Sequence, residues 1–189
     1  MPKSFKYVCI AMSIILNISQ INSGQACPPA PDEPVPVKSV DLKRYVGRWY
    51  EIAKIPNRFQ RKCSRGTTAQ YALLPDGRIE VINRCIKKDG ETITARGVAK
   101  VVDLQSNARL KVSFVKLLGF NLFWGDYWII GLDENYEFAI VGTPGRKYGW
   151  ILSRSPQMSP AKLEQAWQIL KQQGYRPEDF VMTPQTTGK

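Results

Sequence analysis

From Arg48 to Arg154 the sequence repeats one pattern, in which short stretches of alternating apolar and polar residues are separated by turn-forming residues. Alternation with a period of two places successive side chains on opposite faces of a strand. Residues 75–77 (Pro-Asp-Gly) and 88–90 (Lys-Asp-Gly) are typical of tight turns. The pattern predicts an antiparallel sandwich or barrel. Its eight strands cover 48–55, 67–74, 78–86, 91–103, 109–116, 124–132, 136–143 and 147–154.

After the eighth strand the period changes, and apolar residues recur at helical spacing. Ser159 is suited to cap the N-terminus of a helix, Pro160 to occupy its first turn and Gly174 to end it. The residues of the apolar stripe are Leu163, Ala166, Trp167 and Leu170. We therefore expect one amphipathic helix that packs against the outside of the strands.

The first residues have the features of a secretory signal peptide. Lys3 and Lys6 precede an apolar run at 8–16, and the small residues Gly24 and Ala26 follow. The run is too short to span a bilayer. We predict a signal peptide at 1–26, a Pro-rich extended linker at 27–37, one folded domain at 38–184 and a disordered tail at 185–189.

Cleavage after Ala26 would make Cys27 the first residue, which is where bacterial lipoproteins carry their lipid. The usual signal has Leu three residues before that Cys, and here the position is Gly24, so cleavage without lipidation is the alternative. If Cys27 carries lipid, Cys63 and Cys85 remain as a pair in an oxidising compartment. We expect them to form a disulfide, and two buried thiols are the alternative.

The composition argues against catalysis and against nucleic acid. The chain has no histidine, no Gly-x-Ser-x-Gly elbow and no phosphate loop, so we expect no enzyme activity, no metal site and no cofactor. The formal net charge of +11 favours anionic membranes or anionic ligands. Because the sequence has no dense run of Lys and Arg, we expect no nucleic-acid partner.

Three motifs stand in a fixed order along the strand pattern. They are Gly47-x-Trp49 at the start of the first strand, Asp133 with Tyr136 between the sixth and seventh, and Arg154 at the end of the eighth. With the helix that follows, residues 38–184 resemble a lipocalin. The segments 125–133 and 150–156 make the chain similar in particular to the branch of bacterial outer-membrane lipocalins and apolipoprotein D. The resemblance implies an all-β fold, an eight-stranded antiparallel up-and-down β-barrel with one C-terminal α-helix packed outside. It also implies that Arg154 stacks on Trp49 at the closed end, or floor, of the barrel.

An eight-stranded barrel can hold one small ligand, and alternation indicates which residues face it. The predicted cavity residues are Leu110, Val112, Phe114, Tyr127, Ile129, Phe138, Ile140, Tyr148 and Trp150. The small residues Ala95, Gly97 and Ala99 would leave volume free. A barrel filled by its own side chains is the alternative. Glu51 shares the phase of Trp49, and we expect a floor carboxylate that pairs with an Arg or Lys.

The resemblance implies that the barrel binds a fatty acid or a lysophospholipid, for transport or storage in membrane maintenance. Together with Cys27, it implies a lipid-anchored protein on the periplasmic side of a bacterial outer membrane. A soluble periplasmic or secreted protein is the alternative location. The competing functions are a membrane-spanning β-barrel, which would carry apolar residues on its outer surface, and a nucleic-acid-binding barrel.

The loop at 116–124 has six large apolar residues among nine, which is unusual for a loop in water. Because successive hairpins alternate between the two ends of a barrel, this loop lies at the open end. Its Phe and Trp side chains are suited to insert at the headgroup boundary of a bilayer. We therefore expect membrane contact there, and a lid over the ligand or a homodimer contact are the alternatives.

Overall fold

The computed structural model describes residues 31–117 and 120–185. The predicted signal peptide, the candidate lipidation site Cys27, the first part of the linker and the tail after Gln185 lie outside the described residues. The strands are β1 (Gly47–Lys54), β2 (Arg65–Leu73), β3 (Ile79–Ile86), β4 (Thr92–Val101), β5 (Arg109–Ser113), β6 (Val115–Leu117), β7 (Phe120–Leu122), β8 (Gly125–Leu132), β9 (Phe138–Gly142), β10 (Gly149–Ser153) and β11 (Val181–Met182). The helices are α1 (Leu42–Tyr45) and α2 (Pro160–Gln172), with short 3-10 turns at Arg58–Gln60, Pro144–Arg146 and Pro177–Asp179.

Eight strands form a closed antiparallel barrel in the order β10-β9-β8-β5-β4-β3-β2-β1, and β1 pairs with β10 to complete the ring. β11 extends the sheet beside the end of β1. α2 packs on the outer side of β8 and β9. The predicted all-β barrel with an external C-terminal helix is therefore confirmed. Among the described residues, no helix has the length and apolar character needed to cross a bilayer.

The two ends of the barrel differ. The floor contains α1 and the turns that follow β2, β4 and β8, whereas the open end contains the loop at 55–64, the turn at 87–91, the β6–β7 hairpin and the turn at 143–148. Trp49 is completely buried near the floor, where its indole Nε1 donates to the carbonyl of Tyr45 at 2.8 Å. A large buried ring thus closes one end of the interior.

Arg154 contacts the predicted floor residues Trp49 and Gly47. Its guanidinium lies on the ring of Trp49 and donates to the carbonyl oxygens of Arg44 and Arg48, at 2.6 and 2.9 Å. Gly47 has a φ of +99°, and a Cβ at that position would lie 3.1 Å from Arg154 Nη1. Any other residue would be both strained and crowded here. Gly47 therefore makes room for the guanidinium.

The turn after β8 completes the floor. The Asp133 carboxylate accepts hydrogen bonds from the backbone N–H groups of Asn135 and Glu137, at 2.9 and 3.2 Å. The Tyr136 hydroxyl accepts a hydrogen bond from the N–H of Asp41 at 2.9 Å. Because Asp41 caps α1, this bond fixes the short helix against the turn. All five residues of the predicted floor motif thus lie at the same end of the barrel.

Strand β9 presents the face opposite to the predicted one. Ile129 of β8 pairs with Val141, but two residues later Gly131 pairs with Ile140, which reveals a β-bulge. The extra residue in β8 reverses the phase of alternation. Phe138 and Ile140, predicted to line the cavity, therefore lie outside the barrel in the cluster that packs under α2.

That prediction was wrong because it carried the phase of Tyr127 and Ile129 across the bulge. β9 offers no correcting signal, since all five residues of Phe138–Gly142 are buried and none is polar. Its inward positions are Ala139 and Val141, which belong to the core inside the barrel. A strand that is covered on both faces has no polar row by which to read its orientation.

Two predicted boundaries also differ from the structure. β5 ends at Ser113, whose hydroxyl donates to the carbonyl of Leu122 at 2.5 Å, and β6 and β7 form a separate two-stranded hairpin. Gln185, assigned to the tail, donates from Nε2 to the carbonyls of Glu51 and Thr67 at 2.6 and 3.0 Å. The folded domain therefore includes Gln185.

The described part of the predicted linker is bound to the barrel. Arg146 Nη1 donates to the carbonyl of Asp32 at 2.8 Å. The backbone of Val35 exchanges two hydrogen bonds with the Gln173 side chain, at 2.7 and 3.1 Å, and the N–H of Val37 donates to a carbonyl of β8. The segment runs along the outside of the barrel from the open end, at Arg146, to the floor.

Candidate ligand-binding cavity

A cavity of about 720 Å³ occupies the barrel interior and extends to the loops at the open end. Small-molecule sites commonly measure roughly 300–1,000 Å³. The barrel is therefore not filled by its own side chains. Of the predicted cavity residues, those that line this space are Leu110, Val112, Phe114, Tyr127, Tyr148 and Trp150. Ile129 is buried inside the barrel on the floor side of the cavity, and Phe138 and Ile140 face α2.

β2 and β3 contribute cavity residues that the sequence analysis missed. They include Ala69, Tyr71, Ile79, Val81 and Asn83. Alternation in β3 is blurred because Ile82, on the outer face, is almost as buried as its inward neighbours. Asn83, a polar residue in the inward row, blurs it further. The clearest available signal was the regular spacing of Ile79 and Val81.

Gly97 has a different role from the one predicted. A Cβ on Gly97 would come within 2.6 Å of Cδ1 of Phe114, so the ring of Phe114 lies directly against the backbone of β4. The space that Gly97 leaves is taken by this ring. Ala95 and Ala99, on either side of Gly97, do line the cavity.

Three tyrosines form the deep end of the cavity, and we call Tyr45, Tyr71 and Tyr127 the tyrosine cluster. The Tyr127 hydroxyl lies 2.8 Å from the hydroxyl of Tyr45 and 3.0 Å from that of Tyr71. Burial raises the pKa of Tyr71 to about 12, and it raises the pKa values of Tyr45 and Tyr127 well above 10. All three phenols are therefore neutral at physiological pH.

A second cluster of polar side chains surrounds Glu51, which is 3% exposed. Its carboxylate lies 2.9 Å from Lys54 Nζ, accepts from the Thr183 hydroxyl at 2.7 Å and accepts a short hydrogen bond from Gln60 Nε2. Gln60 Oε1 in turn accepts from Trp150 Nε1 at 3.0 Å. Glu51 therefore has the cationic partner expected for it, but it anchors the loop at 55–64 to the cavity wall instead of lying at the floor.

Cys63 and Cys85 are bonded, with a Cα–Cα distance of 5.5 Å, as predicted. Both line the cavity near the open end. The bond ties the loop at 55–64 to the end of β3, and with Gln60 it holds that loop at two points. The described Cys, Asp and Glu residues form no group that could hold a metal ion.

The open end of the cavity is electropositive. Lys147 lines it and makes no salt bridge with a described residue. Arg84 also borders the cavity, but it alternates with the inward residues Asn83 and Cys85 and therefore lies on the outer face of β3. Asp126 also lines the cavity, but Lys111 neutralises it at 3.3 Å. An anionic group entering the cavity would therefore meet the available cation of Lys147 before it reached the apolar interior.

Large apolar side chains are exposed around the open end. The rim patch consists of Phe59, Leu117, Phe120 and Phe123, which are 67%, 59%, 72% and 81% exposed. Leu118 and Gly119, which lie in the predicted membrane loop, are outside the described residues. Trp124 instead turns to the outer wall, where Lys100 Nζ lies 4.5 Å from its ring centre. The hairpin therefore exposes phenylalanine to solvent and does not fold as a closed lid.

Comparisons with known proteins agree with this geometry. The family model of the lipocalin-like domain matches residues 40–185. Temperature-induced lipocalin-1 of Arabidopsis thaliana is 40% identical over 153 residues, 79% of this chain and 82% of the relative. Outer membrane lipoprotein Blc of Vibrio cholerae is 34% identical over 178 residues, 93% of this chain and 96% of the relative. Apolipoprotein D of Mus musculus is 33% identical over 166 residues, 84% of this chain and 82% of the relative.

Solved structures show the same fold at lower identity. Insecticyanin from the tobacco hornworm Manduca sexta superimposes with a TM-score of 0.67 at 20% identity, covering 84% of this chain and 87% of the insecticyanin chain. Lobster apocrustacyanin A1 gives a TM-score of 0.60 at 18% identity, covering 83% and 93%. At such identities the likeness concerns the fold alone.

Proposed function

This chain belongs to the lipocalin family, and from that premise we propose that it carries one fatty acid or lysophospholipid in its cavity. Lipocalins are carriers of small hydrophobic ligands and not enzymes, and this chain is such a carrier. The finer assignment to an acyl lipid depends on the shape and chemistry of the cavity.

The observation that carries the proposal is an apolar cavity that is closed at one end and electropositive at the other. Ile79, Val81, Leu110 and Leu152 make its inner wall aliphatic, which favours a hydrocarbon chain. Lys147 lies where a carboxylate or a phosphate would remain at the open end. An amphiphile with one acyl chain and an anionic head matches both regions at once.

We further propose that the open end contacts a membrane through the rim patch. Exposed aromatic rings partition well into the headgroup boundary, and the cation of Lys147 at the same end of the barrel would attract anionic lipids. The net charge of +11 supports the same partner. Direct transfer between bilayer and cavity would spare the acyl chain from crossing water.

The proposed location is the periplasmic side of a bacterial outer membrane, with a lipid on Cys27 after removal of residues 1–26. Support comes from the relative in Vibrio cholerae, whose name is outer membrane lipoprotein. A soluble periplasmic or secreted form is the alternative that follows if Cys27 is cleaved without acylation. Mass spectrometry of the mature N-terminus in a bacterial host distinguishes the two by the added mass of the acyl groups.

Native mass spectrometry of the purified mature protein, followed by lipid extraction, tests the proposed cargo. We expect one acyl lipid per chain, and we expect the delipidated protein to bind hexadecanoate and a lysophospholipid saturably. If neither ligand binds saturably while the protein remains folded, the acyl-carrier proposal is wrong.

A further inference from the structure

The tyrosine cluster is more polar than an acyl chain requires. A hydrocarbon tail entering from the open end would place its last carbons against Tyr71 and Tyr127, where phenylalanine would pack equally well. The neighbouring cavity residues Ile79, Val81 and Leu110 are aliphatic. Three hydroxyls at this depth therefore need an explanation beyond filling volume.

The tyrosine cluster has one more hydrogen-bond donor than its hydrogen bonds use. Each phenol carries one donor and can also accept, so three hydroxyls supply three donors. Only two hydrogen bonds join them, and among the described residues these hydroxyls make no others. One O–H group is therefore left without an acceptor in a site where polar groups are normally paired. A ligand oxygen placed against the cluster would supply the missing acceptor.

Asn83 is a further polar residue on the same wall. Its Oδ1 is buried without a hydrogen-bond partner among the described residues, and the side chain lines the cavity. Val81 pairs with Tyr71, so Asn83 lies two residues closer to the open end on the neighbouring strand, a rise of roughly 7 Å. Because that oxygen has almost no accessible surface, a ligand in the cavity could reach it only after the side chain rotated.

The chemistry of the deep end favours an uncharged group. A buried carboxylate would need a cation, and the guanidinium of Arg154 is already bound to the carbonyls of Arg44, Tyr45 and Arg48 below the cluster. A hydroxyl group both donates and accepts, so it can satisfy the cluster.

We infer that the deep end of the cavity is a binding site for a hydroxyl group, and that the natural cargo is an acyl lipid hydroxylated toward the far end of its chain. The inference depends on the proposed function, because the acidic head must lie at the open end, near Lys147, for the far end to reach the cluster. It adds a preference among lipids that the apolar wall alone does not provide.

The test compares 16-hydroxyhexadecanoic acid with heptadecanoic acid, which has a methyl group in place of the hydroxyl and the same number of heavy atoms. Dissociation constants are measured by calorimetry on the delipidated mature protein. We expect the hydroxy acid to bind at least as tightly as heptadecanoic acid. In a purely apolar pocket the hydroxyl would have no hydrogen-bond partner, and the hydroxy acid would bind about tenfold more weakly or worse.

The decisive variant is the triple substitution Tyr45→Phe, Tyr71→Phe and Tyr127→Phe, because removing one hydroxyl still leaves one spare donor. We expect it to lower the affinity for the hydroxy acid by about tenfold or more, and to leave the affinity for heptadecanoic acid unchanged or higher. Tyr148→Phe is the matched control, since it removes a tyrosine hydroxyl from the cavity wall near the open end, and we expect it to leave the ratio unchanged.

Two outcomes would overturn the inference. One is a wild-type protein that prefers heptadecanoic acid by about tenfold, which is what an apolar deep end would give. The other is a triple variant that loses thermal stability but keeps the wild-type ratio, because the cluster would then serve only the fold. Should the triple variant fail to fold, the wild-type ratio decides alone. Failure of both acids to bind would instead refute the proposed acyl-carrier function.

Discussion

The guanidinium carbon of Arg154 lies 3.8 Å from the ring centre of Trp49. Arg154 directly follows β10, and this stack joins it to β1 where the two strands close the barrel. Its guanidinium also donates to the carbonyl oxygens of Arg44 in α1 and Arg48 in β1. The pair therefore links ring closure to the capping of the interior, and its loss affects stability more than ligand choice.

We predict that Arg154→Ala lowers the free energy of unfolding by about 2–4 kcal/mol, through the lost stacking and the lost hydrogen bonds to the carbonyls of Arg44, Tyr45 and Arg48. Trp49→Ala should cost about 3–5 kcal/mol, since it empties a fully buried site. Urea denaturation measures both. Arg78→Ala, an exposed ion-pair residue at the same end, is the control and should change stability by less than about 1 kcal/mol. An Arg154→Ala protein as stable as wild type would contradict this role.

The Cys63–Cys85 bond should stabilise the protein by roughly 3 kcal/mol, because it closes a loop of moderate length in the unfolded chain. Urea denaturation of the double variant Cys63→Ser and Cys85→Ser, compared with wild type, measures the effect. Mass mapping of the non-reduced protein is the direct check. Alkylation of both thiols without reduction would show that the bond does not form in the mature protein.

Trp150 should report on ligand binding. Its ring lines the cavity and its Nε1 donates to Gln60, so an entering acyl chain changes both its surroundings and its hydrogen bond. We expect hexadecanoate to alter the intrinsic fluorescence, and Trp150→Phe to remove most of the change. Trp167→Phe, on the outer helix against Phe180, is the matched control and should leave the response intact. A full response in Trp150→Phe would mean that the cargo binds elsewhere.

Stability should fall in alkaline solution because of the tyrosine cluster. The pKa of Tyr71 is about 12 in the folded protein, whereas an unfolded phenol ionises near pH 10. Its contribution is therefore complete below pH 10 and is lost as pH rises from 10 to about 12, at a slope of up to about 1.4 kcal/mol per pH unit. Urea denaturation between pH 9 and 11 should show the loss, and the triple Phe variant should show a smaller one. Ultraviolet titration in which every tyrosine ionises near pH 10 would argue against the buried cluster.

Replacing the exposed hairpin residues Leu117, Phe120 and Phe123 together by Ser should reduce co-sedimentation with anionic vesicles, because these side chains carry most of the rim patch. Hexadecanoate affinity should stay unchanged. The matched control substitutes Val102 and Leu104 by Ser, since these residues are also exposed and apolar but lie at the floor. Equal sedimentation of all three proteins would refute membrane contact through the hairpin, and lost ligand affinity would indicate a lid.

The barrel could be predicted from sequence because its signals are local. Period-two stretches and tight turns act within a few positions. The floor residues from Gly47 to Arg154 meet only in the fold, and they were identified through the resemblance by their order along the chain. The orientation of β9 could not be predicted, since it depends on a bulge in β8 and on the helix that covers Phe138 and Ile140. The attachment of the linker was missed for a similar reason, because Arg146 and Gln173, which hold it, are more than a hundred residues away.

The course of residues 31–37 has a mechanical consequence. The chain joins the barrel beside Arg146, at the open end. Only the residues between Cys27 and Asp32 would therefore separate a lipid on Cys27 from the barrel. Five residues reach at most roughly 18 Å when fully extended, whereas the eight residues of β1 alone rise about 27 Å. With a lipid on Cys27, the open end of the barrel would stay close to the bilayer, and the floor could not turn toward it. Tethering would then set the direction of loading before any cargo arrives.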